Sequence, residues 1–173
     1  RLVVRNGVVD NLSRDQSTGF GVRVLVNGSW GFASSYRVTA AEVDWVTDLA
    51  VQIARASAIQ SRDPVNLGSP VNSRGSYTTP IQVDPFQVST EQKLNVLLEA
   101  DRAMASVKGI RSRQGSLVFI REEKTFANTE GAYLEQTVYE AGGGIQATAV
   151  GNDEVQRRSY PQMNGRQQGC AGW

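Results

Sequence analysis

Asp44 and Asp48 stand one helical turn apart, a spacing at which two carboxylates can share a divalent cation. No further carboxylate joins them at useful spacing, so the pair reads as a solvated helix face. Glu122 and Glu123 could in principle divide acid and base roles. Neighbours in a strand point to opposite faces, however, and cannot flank one scissile bond, so they read as charged strand or turn residues. Gly19-Phe20-Gly21 and Gly142-Gly143-Gly144 have the glycine density of phosphate loops. Neither runs into a helix start or into Gly-Lys-Ser/Thr, which a backbone N–H cradle requires, and both read as turn or bulge glycines. Lys108, Arg111, Arg113, Arg121 and Lys124 form a locally basic stretch, but Glu122 and Glu123 interrupt it and make a solvated strand face the better reading. Cys170 lies in a Gly/Gln-rich tail with no histidine to activate it.

The absence of histidine decides more than any residue present. Among 173 residues there is none, which removes the commonest general base, the activated serine or cysteine nucleophile, and the commonest metal ligand together. No Ser-x-x-Lys spacing offers a substitute. No catalytic residue, no metal ligand and no resident cofactor is therefore assigned, and no substrate-binding residue stands out. Eighteen Lys and Arg against seventeen Asp and Glu leave a formal charge of +1, far from the basic excess of a nucleic-acid binder. A single cysteine cannot form an internal disulfide, and no apolar run approaches a membrane span or a signal-peptide core. These features fit a reducing cytosol, where the triplets Asn11-Leu12-Ser13 and Asn27-Gly28-Ser29 carry no glycan. Length and a 40% hydrophobic content fit one domain with a lobed outline. The start on Arg1 inside an apolar run, and the tail ending at Trp173, are read as marks of a longer parent.

The elements follow from turn and cap signals. Leu2 to Arg5 and Val8 to Leu12 form a hairpin about Asn6-Gly7, and Val22 to Val26 with Trp30 to Ala33 form another about Asn27-Gly28, both type I′ signals. Thr39 and Glu42 have the spacing of a capping box, opening a helix to about Gln60. Its buried stripe is read as Trp45, Leu49, Ile53 and Ala56, widened by Val46 and Ala50, with Asp44, Asp48, Gln52 and Arg55 opposite. Arg62 to Pro85 reads as a long surface excursion. Ser89 and Gln92 make a second capping box, with Leu94, Leu97, Leu98 and Met104 on one face of a helix ending near Gly109. Short strands follow at Ile110 to Arg113, Leu117 to Ile120 and Thr125 to Ala127. A turn from Asn128 to Gly131 leads to a return strand from Tyr133 to Tyr139; Gly142 to Gly144 break it, and Ile145 to Val150 close the series. Strands and helices segregate, which argues for an α+β fold: antiparallel hairpins with two main helices packed on the sheet.

The run Gly19-Phe20-Gly21-Val22-Arg23-Val24-Leu25-Val26-Asn27-Gly28-Ser29-Trp30-Gly31-Phe32-Ala33-Ser34 resembles the signature of the TldD/PmbA amino-terminal domain, a family also called modulators of DNA gyrase. The resemblance extends to Arg1 to Leu12, the Ala-rich helix at 40–58, Asp84-Pro85-Phe86-Gln87-Val88-Ser89-Thr90-Glu91-Gln92-Lys93-Leu94 and Phe126-Ala127-Asn128-Thr129-Glu130-Gly131, and is weakest over 62–83. The wording is closer to the TldD branch. What the resemblance implies is one amino-terminal domain, 1–173, of a cytosolic zinc-dependent peptidase whose His-Glu-x-x-x-His site lies in a carboxy-terminal half. It also implies pairing as homo- or heterodimers around a cleft for a peptide or unfolded-protein substrate. An inactive partner subunit and a regulator of DNA gyrase are the alternatives, with direct DNA contact disfavoured by the near-neutral charge.

Overall fold

The computed structural model describes residues 1–59, 63–70, 72–163 and 166–173. In chain order the elements are β1 (Leu2–Arg5), β2 (Val8–Leu12), β3 (Phe20–Val26), β4 (Ser29–Ser35), α1 (Ala40–Ala58), β5 (Arg74–Thr78), α2 (Thr90–Ala105), β6 (Ile110–Ala127), β7 (Tyr133–Val150), β8 (Val155–Tyr160) and β9 (Gln167–Cys170). The fold is α+β, with mainly antiparallel strands. Where composition fits one lobed domain, the chain forms two compact units, residues 1–14 with 71–173 and residues 15–70.

The smaller unit is the β3–β4 hairpin with α1 laid on it. Asn27 and Gly28 both hold positive φ, 48° and 76°, the left-handed pair that a two-residue hairpin turn demands. The side chain of Thr39 accepts the Glu42 N–H at 3.3 Å and caps α1. Glu42 does not return the bond to residue 39; its carboxylate accepts the Ser35 hydroxyl at 2.6 Å and ties the helix start to β4 instead. The buried face of α1 is Val46, Ala50 and Ala54, against Ala33, Phe20, Val22 and Val24. Trp45 is 57% exposed, and Ile53 and Ala56 are exposed too, which corrects the stripe read from spacing. The reason is Gly31: a Cβ there would lie 2.0 Å from the Ala50 carbonyl oxygen and 2.6 Å from the Ala54 nitrogen. Strand and helix backbones approach so closely that only alanines fit between them, and the larger side chains are turned outward. Gln60 and Arg62 lie outside the described residues.

The larger unit is a seven-stranded sheet with the path β2-β1-β6-β7-β5, and β8 and β9 also on β7. Here the sequence expectation needs its main correction. The three short strands after residue 110 are one strand of 18 residues, and β7 is another, running through Gly142-Gly143-Gly144 without a break. The glycines are there because neighbours occupy the side-chain space. A Cβ on Gly143 would meet Leu117 Cδ2 at 2.7 Å, and one on Gly142 would meet the Gln167 carbonyl oxygen at 2.6 Å. Residues 74–78, read as loop, form β5 parallel to β7, and the segment after Val150, where no strand was read, supplies β8 and β9 antiparallel to it.

α2 opens on Ser89, whose hydroxyl accepts the Gln92 N–H at 3.1 Å while Gln92 Oε1 accepts the Ser89 N–H at 3.3 Å. Its face packs Leu97 on Leu2 and Val4, with Leu94, Leu98, Leu117 and Phe119 around them. Lys93 belongs to this face as well. It is only 9% exposed, with its ammonium 4.9 Å from the centre of the Phe119 ring. Burial pushes its pKa below the usual lysine range; the Asp84 carboxylate pulls the other way and Arg14 adds to the depression.

Two outcomes follow. Gly31→Ala should cost about 3 kcal/mol in the smaller unit, because helix and strand must separate. Gly75→Ala, with no atom within 4 Å of the added methyl, should change stability by less than about 0.5 kcal/mol. Trp30 and Trp45 lie in the smaller unit with Gly31, and Trp173 lies in the larger unit with Gly75, so urea unfolding followed by tryptophan fluorescence reads both, and a Gly31→Ala midpoint equal to the parent's would contradict the account. For Lys93 the folded pKa lies below the unfolded one, so the unfolded chain holds more protons between the two and stability rises with pH across that window, up to roughly pH 10.4. The unfolding free energy of Lys93→Met minus that of the parent should therefore fall as pH is raised through that window. A difference that stays constant with pH would show that the ammonium is not desolvated.

Candidate functional site

The residues that could do chemistry are not brought together. Asp44 and Asp48 sit on the exposed side of α1. Glu122 and Glu123 point to opposite faces of β6, each toward a cation on its own strand: Lys124 Nζ stands 4.0 Å from Glu122, and the Arg121 guanidinium donates to Glu123. That bond, the first cause, raises the Arg121 pKa, while the charge and hydrogen bond of Glu135 raise that of the Tyr133 phenol. Gly19 to Gly21 lead into and occupy β3. Cys170 is a free, exposed thiol on β9, opposite Glu140 of β7. Among the described residues no group of three or more His, Cys, Asp and Glu could hold a metal ion. With no histidine and no such acid cluster, the donor set does not fit zinc.

The basic stretch disperses likewise. Arg121 lies over the Tyr139 ring at 5.8 Å, and Arg113 is taken by Asp101. That last pair escaped the sequence reading. Asp101 is 3% exposed, and its Oδ1 accepts from Arg113 Nε at 3.2 Å. Asn6 completes the knot: its Oδ1 accepts the Arg113 N–H at 2.8 Å, and its own N–H donates to the Arg113 carbonyl at 3.0 Å. The left-handed turn at Asn6 and Gly7, φ 49° and 79°, is thereby locked to β6 and α2. The signal was present, since Asp101 follows Leu97 by one helical turn on the apolar face, where a buried acid requires a partner. At the far end of the hairpin, Gly131 has φ 97°, and Asn128 Oδ1 accepts from the N–H groups of Glu130 and Ala132.

What the sheet builds is a surface. Gly115 faces Leu97 of α2, so Gln114 and Ser116 point to the other face. There they line, with Gln146, Gln162, Arg1 and Arg166, a shallow cavity of ≈ 370 Å³. Amide and guanidinium groups dominate its lining, so it can hydrogen-bond a polar chain. The second surface is the edge of β6. β1 pairs only with Gln114–Leu117, leaving the outer side of residues 118–127 without a backbone partner among the described residues. No helix among them is long and apolar enough to cross a membrane.

Known proteins of the same build place these features. Residues 1–54 match the model of PmbA/TldA metallopeptidase domain 1, and residues 83–169 match the PmbA/TldA metallopeptidase central domain. A metalloprotease of Methanothermobacter thermautotrophicus is 26% identical over 155 residues, covering 90% of this chain and 33% of that protein. One from Methanocaldococcus jannaschii is 24% identical over 78% of the chain and 30% of its own length. The chain thus spans about a third of the curated relatives it matches. Among solved structures, a candidate modulator of DNA gyrase from Bacteroides thetaiotaomicron shares the fold with a TM-score of 0.74 and 14% identity, over 98% of this chain and 38% of that one. TldE of Thermococcus kodakarensis gives 0.56 and 15% over 95% and 38%. The two domain matches together span both hairpins at the amino terminus, α2 and the long β6–β7 pair, and on that ground the chain belongs to the PmbA/TldA metallopeptidase family, the TldD/PmbA family that its sequence resembles.

Proposed function

We propose that this chain is the non-catalytic amino-terminal part of a cytosolic zinc-dependent peptidase of the TldD/PmbA type, closer to the TldD branch. It walls the substrate cleft and contributes to a homo- or heterodimer interface, while the hydrolytic centre lies in the two thirds of the relatives' length that it does not span. The observation that carries this is chemical. A family named for metallopeptidase activity needs ligands for its metal, and a chain with no histidine and no acid cluster among its described residues cannot supply them. Matches to the first and central domains support the same division of labour.

The substrate on this reading is an unfolded protein or peptide. The outer edge of β2, where Val8, Val9 and Leu12 are exposed, presents main-chain groups that have no strand partner among the described residues. An extended peptide can add there as a further strand, held by its backbone and with little regard for its sequence. The formal charge of +1 and the pairing of Arg113, Arg121 and Lys124 with acids argue against a nucleic-acid partner.

The test is direct. Purified chain, dialysed against chelator, should retain no zinc and leave an unfolded peptide intact on prolonged incubation. One equivalent of zinc held through dialysis, or cleavage by the chain alone, would overturn the assignment.

A further inference from the structure

We infer that the polar face of the larger sheet holds a carboxylate-binding site, built by Gln114 and Ser116 of β6, Gln146 of β7 and Arg166. It takes a carboxylate of a peptide, either the free carboxy-terminus or an acidic side chain, and in this it rests on the reading above that the substrate is a peptide.

Strand register brings these side chains together. Gln114 is the cross-strand partner of Gln146, and Ser116 that of Gly144, and partners in a sheet project from the same face. The N–H and C=O of Arg113 point toward β1, so those of Gln114 point toward β7. The two glutamines are therefore a hydrogen-bonded pair, with Cα atoms about 5.5 Å apart, close enough for both amides to reach one ligand group. Both are half-buried. Ser116 is only 8% exposed, yet its hydroxyl has no hydrogen-bond partner among the described residues. No sealed side-chain nitrogen or oxygen among them lacks a partner, so this hydroxyl is open to the cavity it lines. The α-amino group of Arg1 plays no part, being held by the Ser13 carbonyl at 2.8 Å.

Which charge the site favours depends on which end of each amide faces it, and two arginines decide that. Arg157 Nη2 donates to Gln146 Oε1, and Arg5 Nη2 donates to Gln114 Oε1 at 3.4 Å. A guanidinium has no acceptor, so each amide must turn its oxygen to its arginine and keep its N–H bonds for the other side. Ser116 adds a hydroxyl donor, and Arg166 a planar fork that matches the two oxygens of a carboxylate. The local charges agree. No Asp or Glu lines the cavity, and neither Arg157 nor Arg166 has an acid within ion-pair distance among the described residues. Arg5 is shared with Asp10 at 3.5 Å. Glu140 lies on the same face but four residues along β7 from Gly144, and Gln168 holds its carboxylate at 2.6 Å. A cation would find the amide oxygens already taken. A neutral carbonyl would gain bonds about half as strong as the charge-assisted ones to a carboxylate. A shallow cavity with so few free guanidinium groups reaches one anionic group, not the run of phosphates along a nucleic acid.

Titration of the full chain tests the site, followed by calorimetry and by the side-chain amide resonances of Gln114 and Gln146. One N-acetylated peptide of neutral residues is used in three forms: with a free carboxy-terminus, amidated, and amidated with one internal glutamate. The first and third should shift both resonances and bind about ten-fold more tightly than the second, and the tighter of the two identifies the source of the carboxylate. Equal binding of all three forms would overturn the site, as would larger shifts from an oligonucleotide than from the peptides. Gln146→Glu supplies the second arm. It gives Arg157 an ion pair and leaves the thermal midpoint unchanged or raised, but it turns a donor into an acceptor and should weaken the free-carboxylate peptide about ten-fold. Gln114→Glu, beside Arg5, reads the same effect should the first variant fail to fold. Unchanged affinity in a folded variant would overturn the site. Retained zinc or peptide cleavage would strike the functional reading and leave this binding pattern unchanged, whereas equal binding of the three peptides strikes the site alone.

Discussion

β7 is hydrogen-bonded along both of its sides, and the larger unit depends on that. One side is β6 over almost the whole length. The other is assembled from segments distant in sequence: β5 beside Tyr133–Thr137, β9 beside Glu140–Gly143 and β8 beside Ile145–Val150. Between β5 and β9, Thr79 donates its N–H to the Thr137 carbonyl, its hydroxyl accepts the Tyr139 N–H, and Ala171 donates to the Tyr139 carbonyl. An orphaned buried main-chain group costs about 1–3 kcal/mol, so a central strand of this length is stable only when every neighbour is in place. β1, β2 and α2 are held in turn through β6, by the Asn6–Arg113–Asp101 knot and the Leu97 contacts.

Function follows from what this arrangement leaves unused. A sheet whose centre is saturated keeps its bonding capacity at its rims, among the described residues the outer side of β2. Its polar face offers hydrogen-bonding groups from Gln114, Ser116 and Gln146. Such a body has the means to hold an extended chain along its edge, and the chain spans about a third of its curated relatives.

The parts legible in the sequence are the local ones. Asn6-Gly7 and Asn27-Gly28 announce their turns because only left-handed residues close such hairpins, and Ser89 with Gln92 announces α2 because the capping bonds span three residues. What escaped depends on distant neighbours. Gly142 and Gly143 look like breakers until Gln167 and Leu117 are seen in their side-chain space. β5 has the short polar sequence Arg74-Gly75-Ser76-Tyr77-Thr78 and becomes a strand only by lying along β7. Spacing alone puts Trp45 and Ile53 in the core, whereas Gly31 reserves that place for Ala50 and Ala54.

The claim on which the rest stands is that β7 is one uninterrupted strand through its three glycines. Residue-resolved hydrogen exchange on dilute chain measures it directly. The amides of β7, those of Gly142 to Gly144 included, should exchange as a block and among the slowest of the larger unit. Rapid exchange at the three glycines, with slower segments on either side, would contradict the account and divide the strand in two.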